Sequence, residues 1–384
     1  MQTSHVTFPF LWAPEAAGIP AQVFTLEMDP QRTVPALSVQ AAWNGSRGLI
    51  RGLIEDGVLV EDHIREELDE EGRLRDAGRR IAGPGPIRRQ VWTVSEHRTA
   101  WLARHPGESI AGWIGNGNLL ANPHFVGWSD GTLFTLRGEP LERRTYTCLV
   151  VRKTGVSIEP LAASGFSAEV KCATFGQQVV KDGNPIGRKE LIAKAAAGEF
   201  FDLRHVFLFP RVDMGPQRWM DAGLAAFHQA GGGLNARAIE DALRGKPVEC
   251  PVEQFSENQV RRALEAKGYR DYEFHGGLLR FIPREGIYPH DLIGLREDGT
   301  LMAVAAGGLS NRVGLSIEGA GELMRSLGAR DALLLDNGGD VTLGCGDETI
   351  FSSKDGVRGR LRSVLFFRGA EVSACVRYRV QQTA

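Results

Sequence analysis

The stretch that most restricts how this chain folds runs from Asp331 to Leu343, DALLLDNGGDVTL. Its apolar run, Ala332 to Leu335, reads as a buried strand. The run stops at Asp336, and Asn337, Gly338 and Gly339 follow at once, then Asp340 and a second short apolar piece. A carboxylate at the end of a buried strand costs free energy unless something pairs with it. Two glycines let the backbone turn sharply and let a ligand approach its N–H groups. Asp336, Asn337 and Asp340 are therefore expected around one small site. A plain Asn-Gly turn between two strands is the simpler alternative.

The residues before this stretch set its context. Ser316 is placed to cap a helix. Ile317, Ala320, Leu323, Met324 and Leu327 recur at helical spacing, and Gly328 fits the position just past the helix end. Further upstream, Leu292–Leu295, a turn at Glu297-Asp298-Gly299 and Leu301–Ala305 read as a hairpin.

The segment HDLIGLREDGTLMAVAAGGLSNRVGLSIEGAGELMRSLGARDALLLDNGGDVTL resembles the phosphodiester glycosidase domain family, whose members include uncovering-enzyme-type hydrolases. The family pattern is an Arg-Thr-Ala-(Ile/Val)-Gly stretch, a strand, a DG turn, a strand, a loop, a helix, a strand and LDGGGSS. The order and the spacings agree together here, which is more specific than one motif alone. Weaker likenesses are Val23–Val39, the Gly115–Asn118 loop, Val126–Val156, Gln178–Ile186 and the arginine-bearing Asp355–Phe366.

Three departures bear on chemistry. LDGGGSS becomes LDNGGDV, so Asn337 replaces a glycine and Asp340 a serine; the family arginine falls at His290; the asparagine loop lacks its aromatic pair. Each change removes a donor or positive charge, or adds a negative one, where the family would hold a phosphate. The resemblance implies a hydrolase that cleaves at an anomeric carbon, with a sugar 1-phosphodiester as the leading substrate class. Anomeric cleavage passes through an oxocarbenium-like state and needs a carboxylate and help for the leaving group. Asp336, Asp340 and His290 are the expected catalytic residues. Asn116, Asn118, Asn311, Arg312, Asn337, Gly338, Gly339 and Arg360 are the expected substrate-binding residues. Two carboxylates would equally suit a glycosidase or transglycosidase on neutral glycans, and a third reading is an inactive carbohydrate- or protein-binding member. A divalent cation near Asp336 and Asp340 would restore the lost positive charge, although DNGGD does not match the EF-hand spacing. Turns account equally well for the asparagines, and a surface ion pair for Arg312.

Composition narrows the partners. Lys plus Arg is 45 against Asp plus Glu 47, a balance that argues against a general nucleic-acid binder. No run is long and apolar enough to span a bilayer. The N-terminus shows no signal-peptide pattern, so the expectation is cytoplasmic, or exported if a leader was removed. The five cysteines form no CxxC pair, so neither a zinc site nor a disulfide framework is expected.

The expected architecture is α+β: a mixed, largely antiparallel sheet core with packed helices, plus two helical insertions. The core is assigned to residues 1–42, 111–186 and 286–384. Residues 43–110 read as an insertion or accessory lobe, with a solvated helical hairpin at Leu49–Ile54 and Val58–Glu71. Residues 187–285 read as a helical insertion, from patterns at Arg188–Ala197, Trp219–Ala230, Ala236–Leu243 and Glu257–Lys267.

Overall fold

The hairpin expected around Glu297-Asp298-Gly299 forms. His290–Arg296 pairs antiparallel with Leu301–Gly307, in register from His290↔Ala306 to Leu295↔Leu301. Gly299 adopts φ +86° in the turn, a conformation without steric cost only for a residue lacking Cβ. The computed structural model describes residues 1–6, 21–39, 92–116, 126–129, 132–136, 145–162, 169–187, 190, 288–308, 313–338, 341–353, 360–361 and 363–380, and short strands within 49–75 and 207–285.

This hairpin is the centre of an eight-stranded sheet. In spatial order its strands are Gln2–Val6, Ala374–Val380, Gln22–Met28, Leu301–Gly307, His290–Arg296, Ala329–Asn337, Gln177–Lys181 and Asn184–Pro185. All neighbours are antiparallel except the first pair. The last two strands turn through Asp182 and Gly183, both at positive φ (47° and 75°), which makes the tight DG hairpin the sequence signals.

Each face of the sheet is covered differently. Helix Ile317–Ser326 packs on one face, against the strands Gln177–Lys181, Ala329–Asn337 and His290–Arg296. Ser316 Oγ accepts the Gly319 N–H at 3.0 Å, capping the start, and Gly328 follows the end at φ +88°. The helix buries Ile317, Ala320, Leu323 and Met324; a fully buried leucine alone contributes roughly 1.5–3 kcal/mol. On the other face, Ile293 and Leu295 meet Leu37, Ile114, Leu343 and Leu365 of a five-stranded sheet and Leu149 and Cys172 of a seven-stranded one. The five-stranded sheet runs Glu348–Ser352, Thr342–Cys345, Ile110–Gly115, Ser363–Arg368, Val34–Val39. The seven-stranded sheet runs Gly155–Ala162, Thr145–Arg152, Val170–Phe175, Val126–Ser129, Thr132–Leu136, Leu49–Glu55, Val58–Ile64.

The expected α+β class with two helical insertions is corrected: the molecule is mostly β, with two helices among the described residues. Leu49–Glu55 and Val58–Ile64 form an antiparallel strand pair, not a helical hairpin. The apolar residues Leu49, Ile50, Leu53 and Ile54 recur at helical spacing, but Asp56-Gly57 between the two runs is a two-residue hairpin signal. The helix of this region lies later, at Val94–Arg104, behind a Thr93–Glu96 capping box. Apart from Glu190, the four helical patterns within 187–285 lie outside the described residues. What is described there is strand: Phe207–Leu208 with Arg284–Glu285, and Val248–Pro251, Leu278–Phe281 and Tyr272–His275 in a three-stranded sheet.

The chain divides into two compact units, residues 1–186 with 287–384, and residues 187–286. No helix among the described residues is long and apolar enough to cross a membrane.

Candidate functional site

Two acidic residues meet where the strand Ala329–Asn337 runs out. Asp336 stands opposite Asp291 in the antiparallel ladder, and Asn337 opposite His290. The register shifts between Asp291 and Leu292: Leu334 pairs with Leu292, so Leu335 is the extra residue of a bulge. Bulges re-aim the side chains that follow them. Directly opposed residues carry their side chains on the same face, with Cβ atoms roughly 4.5–5.5 Å apart. Asp291 alternates with Ile293 and Leu295 and therefore shares their face, toward the other two sheets. Asp291 is fully buried and Asp336 is 3 % exposed.

Hydrogen bonds fix the chain around this pair. Asp291 Oδ2 accepts the Thr342 N–H at 3.0 Å, at the far side of the glycine loop. Asp336 Oδ1 accepts the Asn337 N–H at 2.7 Å. The Gly338 N–H donates to Pro289 O at 2.9 Å, and Gly338 O accepts from the Ser353 hydroxyl. Gly338 sits at φ +83° with open space where a Cβ would be. The Ser353 N–H donates to Val341 O at 3.0 Å. Entry and exit of the loop are thus held, while the N–H groups of Asn337 and Gly338 are engaged inside the protein. Asn337 Nδ2 is different: it is buried and has no acceptor among the described residues.

His290 is also buried, but it lies on the opposite face from Asp291. Its Nε2 meets Leu315 O at 2.9 Å, and its ring stands edge-on to Tyr288 at 6.5 Å. That face is the helix side: a Cβ on Gly294, two residues along from Leu292, would come within 2.7 Å of Met324 Cε. The ladder therefore brings Asp291, not His290, beside Asp336. Sequence reasoning passed over Asp291. An acid at the first inward position of a buried strand was the available signal.

Asn116 lies at the same end of the sheets. Ile114 pairs with Leu343, so residue 116 runs alongside the exit of the glycine loop. It is 1 % exposed, and its amide is taken up internally. Nδ2 donates to Thr174 Oγ1 at 3.0 Å and to Ser363 Oγ at 3.3 Å, and the Asn116 backbone carbonyl accepts from the Ser363 hydroxyl. Asn116 thereby ties the five-stranded sheet to Thr174 of the seven-stranded one. The Arg360 backbone pairs with Thr93; its side chain, and Asn118, Asn311, Arg312, Gly339 and Asp340, lie outside the described residues. Among the described residues no group of three or more His, Cys, Asp or Glu side chains comes together to hold a metal ion.

Residues 245–366 match the sequence profile of the phosphodiester glycosidase family, so the resemblance read from the sequence holds over a segment that contains Asp291 and Asp336. Among solved structures, the chain is similar to the zebrafish N-acetylglucosamine-1-phosphodiester alpha-N-acetylglucosaminidase catalytic domain auto-inhibited by its pro-peptide, at 12 % identity over 86 % of this chain and 88 % of that one, with a TM-score of 0.39. A hypothetical protein from Synechocystis is similar at 13 % identity over 94 % of this chain and 61 % of that one, with a TM-score of 0.28. No curated protein matches by sequence.

Proposed function

We propose that the protein is a hydrolase that cleaves a glycosidic linkage at the anomeric carbon, with a sugar 1-phosphodiester as substrate. The family match over 245–366 carries this reading. Asp336 is the residue we assign to the anomeric centre. It closes a buried strand beside a glycine turn, where a sugar lying across the strand end would meet the carboxylate. Asn337 Nδ2, the buried donor with no acceptor among the described residues, would satisfy a substrate oxygen there. A phosphodiester leaves as an anion and needs donors or positive charge more than a proton, and Arg312 and Arg360 are the cations we assign to that task.

One observation favours a second reading. Asp291 and Asp336 stand opposite each other in the ladder, which puts two acidic residues at one end of the sheet. One protonated and one ionised carboxyl are what hydrolysis of a neutral glycoside requires. The two readings separate in one assay. Purified protein is given a hexose 1-phosphodiester and the matched neutral glycoside, and release of free sugar is followed for wild type and Asp336→Asn. Turnover of the phosphodiester at least tenfold above the glycoside, lost in the variant, supports the first reading. The reverse preference transfers the assignment to neutral glycans. Inertness of wild type on both overturns the hydrolase reading.

A further inference from the structure

We propose that Cys345 and Cys375 are a paired redox site, able to close into a reversible disulfide that joins the five-stranded sheet to the eight-stranded one. The inference is independent of the hydrolase reading. Cys345 ends the strand Thr342–Cys345 and stands opposite Gly112. Cys375 lies on the strand Ala374–Val380 and stands opposite Leu26. These two ladder positions touch across the sheets: a Cβ on Gly112 would meet Leu26 Cδ1 at 2.9 Å and Val372 Cγ1 at 3.6 Å. The glycine leaves the room in which the two sheets approach so closely. Both cysteines pack on the same apolar cluster, with the Cys345 side chain beside that of Cys375. Both are free and partly exposed, so a small oxidant reaches them, whereas Cys148 and Cys172 are free and buried.

The chemistry balances with a low-molecular-weight disulfide as the oxidant. One protein thiolate attacks it, forms a mixed disulfide and releases one small thiol. The second protein thiolate attacks the protein sulfur of that mixed disulfide, closes the Cys345–Cys375 bond and releases the second small thiol. Two protein S–H groups are oxidised, one S–S bond of the oxidant is reduced, and both protons leave on the released thiols. Burial, and then the neighbouring Cys345, push the Cys375 thiol up to about 11. Closure is therefore slow at neutral pH and faster in mild alkali.

The bond would close a chain loop containing Ser353, Arg360 and Ser363, and would anchor the strand that leaves the glycine loop at Thr342. Constraining such a loop in the unfolded chain stabilises the folded one.

The test is incubation of the full chain with oxidised glutathione at pH 7.5 and 9, followed by non-reducing peptide mapping and thermal unfolding. The expected result is a single crosslink between the Cys345 and Cys375 peptides with loss of two hydrogens. Its formation is faster at the higher pH, Tm rises by a few degrees, and a dithiol reductant reverses both changes. In Cys345→Ser, Cys375 should instead retain a glutathione adduct, because the resolving thiol is gone. The double variant Cys345→Ser/Cys375→Ser should show no oxidant-dependent change in Tm. Persistent glutathione adducts on both wild-type cysteines, a crosslink of either to a different cysteine, or no reaction at pH 9 would overturn the assignment.

Discussion

Asp291 and Asp336 face each other across one antiparallel ladder, both buried, at the position where a bulge at Leu335 resets the strand. The pair couples two functions. Asp336 closes the strand that leads into the glycine loop, and Asp291 holds the residue at which the chain leaves that loop, through Thr342 N–H.

Asn and Ala variants separate these roles. Asp291→Asn keeps an oxygen that can accept from Thr342 N–H. Asp291→Ala leaves that buried donor unmatched, at about 1–3 kcal/mol. Urea unfolding is expected to rank wild type and Asp291→Asn close together and Asp291→Ala clearly lower; equal loss in both would remove the Thr342 bond from the account. Asp336→Asn is expected to fold and to lose roughly 10²–10⁴-fold in kcat on whichever sugar substrate the wild type turns over.

The glycines around the site should differ sharply in tolerance. Gly338 needs φ +83° but has open space beside it, so Gly338→Ala is charged only for backbone strain, about 1–2 kcal/mol. A Cβ on Gly314 would lie 1.9 Å from Tyr288 O, where backbone must move. That movement would break the Tyr288–Leu315 bridge and shift the carbonyl that His290 contacts. Gly314→Ala is expected to cost well over 3 kcal/mol, beyond ordinary overpacking. Comparable urea midpoints for the two variants would contradict this.

What was legible in the sequence was local. The Ser316 cap, the apolar stripe ending at Gly328 and the Asp298-Gly299 hairpin each carry their signal within a dozen residues, and each formed. Asp291 was legible only as an acid in a buried strand; its partner Thr342 is 51 residues away, and nothing nearby marks that contact. The helix at Val94–Arg104 was missed because it buries only His97 and Trp101, too few for a periodic signal. The pair Leu49–Glu55 and Val58–Ile64 was misassigned because its apolar residues recur at helical spacing, and the hairpin signal at Asp56-Gly57 was passed over. Asn116 read as a loop residue for sugar hydroxyls, since its neighbours are glycines. Its partners Thr174 and Ser363 are 58 and 247 residues distant.

Acid should weaken one ion pair in a defined direction. Burial tends to raise the Glu159 carboxyl, but hydrogen bonds from Arg152 and Ser157 and the Arg152 charge outweigh it and hold the group below the usual carboxylate range. The folded state therefore binds this proton less readily than the unfolded one. The stabilisation is present above the unfolded carboxylate range and is lost as pH falls through the folded value. Glu159→Gln should lower the urea midpoint at pH 7, and the gap to wild type should narrow below about pH 4, on the carboxylate scale. A gap that widens in acid would reverse the sign. The effect is small, since the pair is partly solvent-screened.

Asn116 tests whether a residue picked for substrate contact holds the sheets together instead. Its side chain is fully committed, with donors to Thr174 and Ser363 and the Thr174 hydroxyl returned to Oδ1 at 3.1 Å. Asn116→Ala would remove the side-chain bonds to Thr174 and Ser363 and open a small void, at about 1–3 kcal/mol for the lost hydrogen bonding. The expected signature is a lower urea midpoint with KM unchanged under conditions where the variant is fully folded. A substrate-binding amide would show the opposite, a raised KM at undiminished stability. The first outcome would assign Asn116 to the joint between the five- and seven-stranded sheets, and would leave Asp336 and Asn337 as the groups that meet the sugar.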